Sequence, residues 1–462
     1  MVFYFAYLES GSWETLKLYF AGGDALSYYG PIESYIEYGV YSYSKALTPY
    51  AGRMPYYGSV YFILRLMFEQ NIAFNGLVVL QLMVESLAIL YLCRIVKEFV
   101  PKFKDAAYWC VFVFSILNGA TTIWSRYILT ESFSISCFVF YAYFLQKYLK
   151  SRTVKDLIRT GIFLGLMITL RPYLILLFLP IGLTFCYQCW RKKEYWQLLV
   201  KNVLIVSLPM ILLLSPWVIR NAVVFNRFIP LQDDMQAGYK YSESYYAMWD
   251  FIAAWGGSIQ SWDKRAAGCI FEPRFNQDCT FEYPDYVFTS KYNFEDLEQL
   301  RQEYIEVCLS FNADEDRAVA SKFGQYKDAF IKEHPLRYYL LAPLQLSFEM
   351  IFHSGSYNIA TIGSGWLKWP SLLFKIMQSI LYYLMLLLGV FGLLRFLQSP
   401  FILNLIFTPC IILVLFGMIL KAPEFRFFIH AYPVLVISAI IFALSFGEKL
   451  PINRFKLLGK IS

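Results

Sequence analysis

The sequence has little charge. Asp, Glu, Lys and Arg make up only 16% of its 462 residues, whereas 58% are hydrophobic and the mean hydropathy is +0.45. This composition excludes an ordinary water-soluble protein, which at this length would divide into about two or three domains. The net charge of +7 does not indicate nucleic acid as a partner, because no basic run has interleaved aromatic residues.

Signals of soluble enzymes are also scarce. The three histidines, His334, His353 and His430, fit no metal-binding spacing, and the sequence has neither a glycine-rich phosphate loop nor a nucleophile elbow. No internal repeat or heptad array occurs, which excludes a solenoid and a coiled coil. Cys186 and Cys189 form a CxxC without a second pair or a nearby histidine, so we expect buried thiols there and no metal site.

Long apolar runs are what the sequence has instead. Runs of roughly 17 to 25 apolar residues predict membrane-spanning helices. The nine candidates are Gly76 to Val96, Ala106 to Trp124, Ile128 to Leu145, Leu157 to Leu170, Tyr173 to Cys189, Val203 to Ile219, Leu372 to Phe396, Phe401 to Leu420 and Phe427 to Phe446. A shorter run, Tyr57 to Phe68, carries Arg65 and is interpreted as a juxtamembrane or re-entrant helix. Met1 to Leu8 with Trp13 to Phe20 is interpreted as a truncated further span.

We therefore predict an all-α polytopic membrane protein with about 9 to 11 transmembrane helices. Lys and Arg cluster in alternate connections, which the positive-inside rule assigns to the cytoplasm. These clusters lie in Arg94 to Lys104, Lys147 to Arg159, Arg191 to Lys201, at Arg395, and in Lys449 to Lys460. The chain before Gly76 and the long loop from Asn221 to about Trp369 are then both outside.

This topology divides the chain into four regions. Residues 1–75 form a first outer segment with juxtamembrane helices, and residues 76–220 form a six-span bundle. Residues 221–370 form an extracytoplasmic α-helical region, and residues 371–462 form a three-span membrane part with a cytoplasmic tail.

The long outer loop contains two helix signals. Asn293 followed by Asp296 marks one helix start, and Asn312 with Glu315 marks a second helix that runs to about Glu333. The apolar face of the first helix is formed by Leu297, Leu300, Tyr304 and Val307.

The same loop holds two pairs of chemical interest. If the loop lies outside the cytoplasm, Cys269 and Cys279 are equally compatible with a disulfide and with two free thiols. Asp233 and Asp234 are interpreted as solvated loop residues, with a divalent metal as the less favoured alternative. We assign no other cofactor.

Several arginines lie at or near the outer ends of the predicted spans, where the positive-inside rule does not place them. A guanidinium binds two phosphate oxygens at once, so converging arginines are able to hold a phosphate group at the membrane surface. Contact with lipid head groups is the alternative for any one of them. The arginines are Arg53, Arg126, Arg171, Arg220 and Arg426.

Two carboxylates accompany these arginines. Asp24 follows two glycines in the first outer segment, where it is able to act as a general base or, alternatively, to form an ordinary turn. Glu131 begins a predicted span. Carboxylates in such positions are costly and are usually functional or paired, and the expected partner is Arg126, five residues away.

Several phrases of the sequence resemble one family when they are taken together. The first outer segment has Gly23-Asp24-Ala25 with Tyr29, then Gly39, then Arg53-Met54-Pro55-Tyr56-Tyr57-Gly58. Later phrases are Leu129-Thr130-Glu131-Ser132, Gly165-Leu166 through Leu170-Arg171-Pro172, Ser215-Pro216-Trp217-Val218-Ile219-Arg220-Asn221, His334-Pro335-Leu336 with Tyr338, and Glu424-Phe425-Arg426-Phe427 before Pro433. In this order they resemble the GT-C superfamily of membrane glycosyltransferases, specifically the dolichyl-phosphate-mannose protein mannosyltransferases and the lipid A aminoarabinose transferases.

The resemblance implies a transferase that takes a sugar from a polyprenyl-phosphate donor and passes it to a protein, lipid or glycan acceptor on the outer face. Asp24 would be the catalytic base, with Glu131 as a second carboxylate. The donor phosphate would be bound by Arg53, Arg171, Arg220 and Arg426. A bacterial inner membrane is the expected location and the endoplasmic reticulum membrane the alternative.

Other functions fit a polytopic membrane protein as well. A transporter or flippase of a lipid-linked saccharide is the main alternative, although such proteins usually show an internal repeat, and the charges here gather at one face. A polysaccharide polymerase or ligase and a scaffold without catalysis are further alternatives.

Overall fold

The computed structural model describes residues 16–43, 47–192, 195–233, 243–260, 263–272, 279–310, 312–356, 368–395 and 399–445. The predicted apolar stretch from Met1 to Leu8, the acidic residue Asp234 and the basic tail from Lys449 to Lys460 lie outside these ranges.

The fold is built from α-helices, and the β-structure within the described ranges consists of isolated bridges. In chain order the helices are α1 (Ala25–Tyr38), α2 (Tyr56–Met67), α3 (Gln70–Lys97), α4 (Lys104–Leu117), α5 (Glu131–Ser151), α6 (Val154–Leu170), α7 (Phe178–Lys192), α8 (Trp196–Phe225), α9 (Glu243–Trp255), α10 (Ala267–Phe271), α11 (Phe294–Ser310), α12 (Ala313–Glu333), α13 (Ala342–Ile351), α14 (Trp369–Arg395), α15 (Pro400–Ile412), α16 (Phe425–Phe428) and α17 (Tyr432–Ser445). Short 3-10 segments are Pro101–Phe103, Thr122–Arg126, Pro172–Leu177, Asp285–Val287 and Ile429–Ala431, and π-helical segments are Arg337–Leu341 and Leu413–Ile419.

Six helical stretches of the described chain are long and apolar enough to cross a membrane. They are Gln70–Lys97, Pro172–Trp190, Trp196–Phe225, Trp369–Arg395, Pro400–Ile419 and Phe425–Ser445. The prediction of an all-α polytopic membrane protein is therefore confirmed. The other three predicted runs also fall on helices, namely α4, α5 and α6, which are shorter or more polar.

Helix α4 ends earlier than the apolar run predicted. It has 14 residues and is therefore about 21 Å long, less than the roughly 30 Å of a bilayer core. It stops at Leu117, before Asn118 and Gly119, and the chain continues as turns and a 3-10 segment until α5 begins at Glu131. Hydropathy alone extended the helix to Trp124 because the residues of this irregular segment are not charged before Arg126.

Contacts between residues divide the chain into two units. The larger unit contains Met1–Gly238, Ser354–Cys410 and Ile429–Ser462. Within it α5 packs on α3 and α6, α6 packs on α8, and α14 packs on α17. Glycine allows the close approach of α6 and α8, because a Cβ at Gly161 would overlap the carbonyl of Val206.

The smaller unit contains Tyr239–His353 and Ile411–Phe428. The predicted helix starts are confirmed, since the side chain and main chain of Asn293 exchange hydrogen bonds with Asp296 (2.9 and 3.0 Å), and Asn312 Oδ1 accepts from the main-chain N–H of Asp314 (3.0 Å). The four apolar residues predicted on one face of α11 are all buried. They join an aromatic core in which Tyr292 and Tyr326 stack at 4.3 Å.

Candidate functional site

Asp24 lies at a glycine-dependent turn at the start of α1. Gly23 has φ +59°, a left-handed backbone conformation that glycine adopts without strain. Asp24 occupies the N-cap position, yet its side chain makes no capping hydrogen bond. The chain before this turn pairs with the end of the 3-10 segment Thr122–Arg126. Phe20 N–H donates to Arg126 O (2.7 Å), and Ile128 N–H donates to Phe20 O (3.0 Å).

Arg53 lies next to this turn. Its Nε donates to Ser27 Oγ (3.4 Å), and the same hydroxyl donates to the carbonyl of Asp24 (2.6 Å). The guanidinium carbon is 5.2 Å from the ring centroid of Tyr28. The structure thus places Arg53 at the turn that carries the predicted base, joined through Ser27 to the main chain of Asp24.

Glu131 and Arg171 form an ion pair inside the larger unit. Glu131 is the first residue of α5 and is 0% exposed, and Arg171 caps the end of α6 and is 7% exposed. The sequence pointed to Arg126 as the partner of Glu131, but the structure supplies the guanidinium of Arg171. The prediction of a partner close in sequence was wrong because the packing of α5 on α6 brings together residues 40 positions apart.

Tyr57 lies between the turn at Asp24 and the Glu131–Arg171 pair. Its ring centroid is 5.6 Å from that of Tyr28 and 5.9 Å from that of Phe133, two residues after Glu131. The hydroxyl donates to Gln81 Oε1 (3.1 Å). Burial, with a further contribution from the charge of Glu131, raises the pKa of Tyr57 well above its usual range, so it is a neutral donor at physiological pH.

Arg220 and Arg426 are held by other partners. Arg220 donates to Tyr50 O and Asn221 Oδ1 (both 2.8 Å), and aromatic rings surround its guanidinium. Arg426 belongs to the smaller unit and forms an ion pair with Glu424 there. A phosphate group at either arginine would therefore compete with contacts that are already made.

His430 is a polar residue of this region that sequence reasoning did not select. It is fully buried, with Nε2 2.7 Å from Ser134 Oγ and Nδ1 3.1 Å from the hydroxyl of Tyr173. Ser134 is one turn after Glu131, and Tyr173 is two residues after Arg171. No spacing in the sequence could have found this contact, because His430 reaches the region only through tertiary packing.

Glu85 was also missed, although its signal was visible. It is a carboxylate near the middle of a predicted membrane span, and that position is costly enough to indicate a function. Its neighbour one turn earlier, Gln81, donates to the carbonyls of Ser125 (2.8 Å) and Tyr127 (3.1 Å). Both side chains therefore fix the irregular segment before α5 against α3.

Of the acidic pair interpreted as solvated loop residues, with a divalent metal as the less favoured alternative, the structure describes only Asp233. Asp233 forms an ion pair with Arg227 (3.8 Å), and its main-chain N–H donates to Ala51 O (3.0 Å). Within the described ranges no three His, Cys, Asp or Glu side chains group in a way that could hold a metal ion.

Comparisons of the chain with protein-family models, curated proteins and solved structures find no match.

Proposed function

We propose that this protein is a membrane glycosyltransferase that moves a sugar from a polyprenyl-phosphate donor to a protein, lipid or glycan acceptor. The observation that carries the proposal is the position of Arg53 at the turn that bears Asp24: its Nε donates to Ser27 Oγ, and that hydroxyl donates to the main-chain carbonyl of Asp24. Transfer of a sugar from a phosphate needs a base for the acceptor and a cation for the leaving group, and this turn carries one residue of each type.

Asp24 is the base in this proposal. Its carboxylate takes the proton of the acceptor hydroxyl while the acceptor oxygen forms a bond to the anomeric carbon. The bond from that carbon to the phosphate oxygen breaks, and polyprenyl phosphate leaves with the electron pair. Arg53 stabilises the charge that develops on the phosphate, since a guanidinium matches the geometry of two phosphate oxygens.

The buried groups behind this turn have a positioning role. The Glu131–Arg171 pair and the hydroxyl of Tyr57 place charge and a neutral donor next to the aromatic rings at Tyr28 and Phe133. The apolar helices around them offer a surface for the polyprenyl chain. We place the reaction on the extracytoplasmic face of a bacterial inner membrane, with the endoplasmic reticulum membrane as the alternative.

The test is sugar transfer from a panel of polyprenyl-phosphate sugars by the purified protein in detergent. Asp24→Asn is expected to lower transfer by about 100- to 10,000-fold, since that is the usual contribution of a general base, while donor binding persists. Asp105→Asn is the matched control, because Asp105 forms an exposed ion pair with Lys97 (2.9 Å), the last residue of α3. Full activity of Asp24→Asn, or no turnover of any donor by the parent, would refute the proposal.

A transporter or flippase of a lipid-linked saccharide is the second candidate. It is favoured by the irregular segment between α4 and α5, which packs on the middle of a candidate span, because interrupted helices of this kind form transport sites. Movement of a fluorescent polyprenyl-phosphate sugar across liposomes, without formation of a new glycosidic bond, would support this function over the transferase.

A further inference from the structure

Glu85 lies near the middle of the 28-residue helix α3, which is a candidate membrane span, and is 7% exposed. Its carboxylate accepts hydrogen bonds from Thr121 Oγ1 (2.8 Å), Thr122 Oγ1 (3.0 Å) and Ser125 Oγ (2.7 Å). All three donors are neutral hydroxyls. A carboxylate in this position is costly unless a positive charge compensates it or a proton neutralises it.

The three hydroxyls come from the irregular segment between α4 and α5. Gln81 holds this segment against α3 through the carbonyls of Ser125 and Tyr127. Irregular backbone inside a membrane protein occurs where it is buried in protein or lines a cavity. Unwound segments of this kind supply oxygen ligands to cations in membrane proteins.

A cavity opens beside Glu85. Its polar lining includes Ser115, Ser132 and Tyr432, and Ser132 Oγ is 2.9 Å from Ser125 Oγ. Tyr432 is 6% exposed, and its hydroxyl has no hydrogen-bond partner among the described residues. Because buried polar atoms nearly always have a partner, an unsatisfied hydroxyl in a cavity that also contains a carboxylate indicates a bound species.

We propose that this cavity binds one monovalent cation, with Na⁺ as the best fit, and that Glu85 is its counter-ion. The hydroxyl oxygens of Thr121, Ser132 and Tyr432 are the further ligands, since a hydroxyl that donates to a carboxylate keeps lone pairs for a hard cation. One carboxylate balances one positive charge. Divalent ions are a poorer fit because Ca²⁺ sites need more oxygen ligands and Mg²⁺ keeps several waters.

The competing state is a protonated, neutral Glu85. Its acidic proton would go to Ser125 Oγ, which would then donate to Ser132 Oγ, and the hydrogen-bond distances would suit that chain equally well. The two states differ in one measurable respect. A neutral Glu85 gives the protein no Na⁺ dependence at constant pH and ionic strength, whereas a Na⁺ site does. The cation site is independent of the proposed transferase function, because neither Asp24 nor Arg53 belongs to it.

The experiment measures the melting temperature of the full-length protein in detergent, with NaCl replaced stepwise by choline chloride, and the equilibrium binding of radioactive Na⁺. We expect saturable stabilisation by Na⁺ and weaker stabilisation by K⁺. Glu85→Gln is expected to weaken Na⁺ binding by more than about a hundredfold, and Tyr432→Phe by about tenfold. Glu69→Gln is the matched control on the same helix, since Glu69 is exposed at its start, and it is expected to bind as the parent does.

Each outcome decides the inference. Loss of Na⁺ binding in Glu85→Gln and its weakening in Tyr432→Phe, with an unchanged control, would establish the site. If Glu85→Gln does not fold, the parent and Tyr432→Phe still give the answer. A parent protein that binds no Na⁺, or a Tyr432→Phe variant with unchanged affinity, would overturn it.

Discussion

At the scale of the residue, the Glu131–Arg171 pair is a costly electrostatic contact, because both partners are buried. Glu131→Gln is expected to lower the stability of the protein by about 3 to 5 kcal/mol, since it leaves the charge of Arg171 without its partner. The measurement is the thermal unfolding midpoint in detergent. The double variant Glu131→Leu with Arg171→Met is expected to recover most of the loss. A double variant no more stable than Glu131→Gln would contradict this account.

Lys421 gives a prediction for pH dependence. It is 8% exposed, in the turn between two candidate spans, with Nζ 3.4 Å from the ring centroid of Tyr338. Burial lowers its pKa from 10.5 to about 8, although the charge of Asp250 opposes this shift and that of Lys327 adds to it. Between pH 8 and 10.5 the unfolded chain therefore binds the proton and the folded chain does not, so folding becomes more favourable as the pH rises.

The corresponding variant is Lys421→Met. It is expected to be more stable than the parent below pH 8, by up to about 3 kcal/mol, and this advantage is expected to shrink as the pH rises towards 10.5. Thermal unfolding of both proteins across this range measures the difference. Lys332→Met, at an exposed position of α12, is expected to show no such trend. A constant difference between Lys421→Met and parent would disprove the shift.

Chemistry alone was enough to select individual residues, whose catalytic and binding roles stay predictions. Asp24, Arg53 and Glu131 were selected because a carboxylate or a guanidinium stands out in an apolar sequence, and the structure shows Arg53 bonded to Ser27 and Glu131 in an ion pair. The partners were not predictable. Arg171 and His430 reach their neighbours through the packing of helices distant in sequence, which no local pattern of residues encodes.

At the scale of the helix, Gly161 sets the distance between α6 and α8. Gly161→Ala is expected to destabilise the protein by about 1 to 3 kcal/mol, because the added methyl group would push against the carbonyl of Val206. Gly182→Ala in α7 is the matched control, since a Cβ there meets no atom within 4 Å, and it is expected to be neutral or stabilising by up to about 1 kcal/mol. Thermal unfolding compares the two variants, and equal effects would show that Gly161 does not define the spacing.

Helix prediction from apolar runs failed at one place, for a physical reason. The average hydropathy of residues 106–124 favours one long span, but Thr121, Thr122 and Ser125 use their hydroxyls to bind Glu85. The helix therefore stops at Leu117. Periodicity and capping residues, by contrast, predicted α11 and α12 correctly, because these helices bury one face and carry their own start signals.

At the scale of the whole molecule, the predicted topology places the smaller unit outside the cytoplasm, and its cysteines test that. Cys269 is buried and its thiol interacts with that of Cys279, which also donates to the carbonyl of Lys264 (3.4 Å); both cysteines are free in the structure. In an oxidising compartment we expect them to form a disulfide that closes the intervening loop. Protein purified from membranes should then react at these positions with a maleimide only after reduction, whereas Cys308 serves as an internal control. Full labelling of both thiols without reductant would contradict an outer location.

The division into units was not predictable from the order of the chain. The four regions inferred from the sequence are contiguous, but the smaller unit combines Tyr239–His353 with the separate stretch Ile411–Phe428. Packing of the later stretch on α13 joins them, and composition alone carries no trace of this contact.

The split origin of the smaller unit has a consequence for biosynthesis. The ribosome completes His353 about 75 residues before Phe428, the last residue that this unit needs. At about 5 to 20 residues per second the first part must wait roughly 4 to 15 s while α14 and α15 are made. During that interval the apolar surface of α13 has not yet met the segments Leu413–Ile419 and Phe425–Phe428 that pack on it, so we expect a newly made chain to expose this surface to proteases and chaperones.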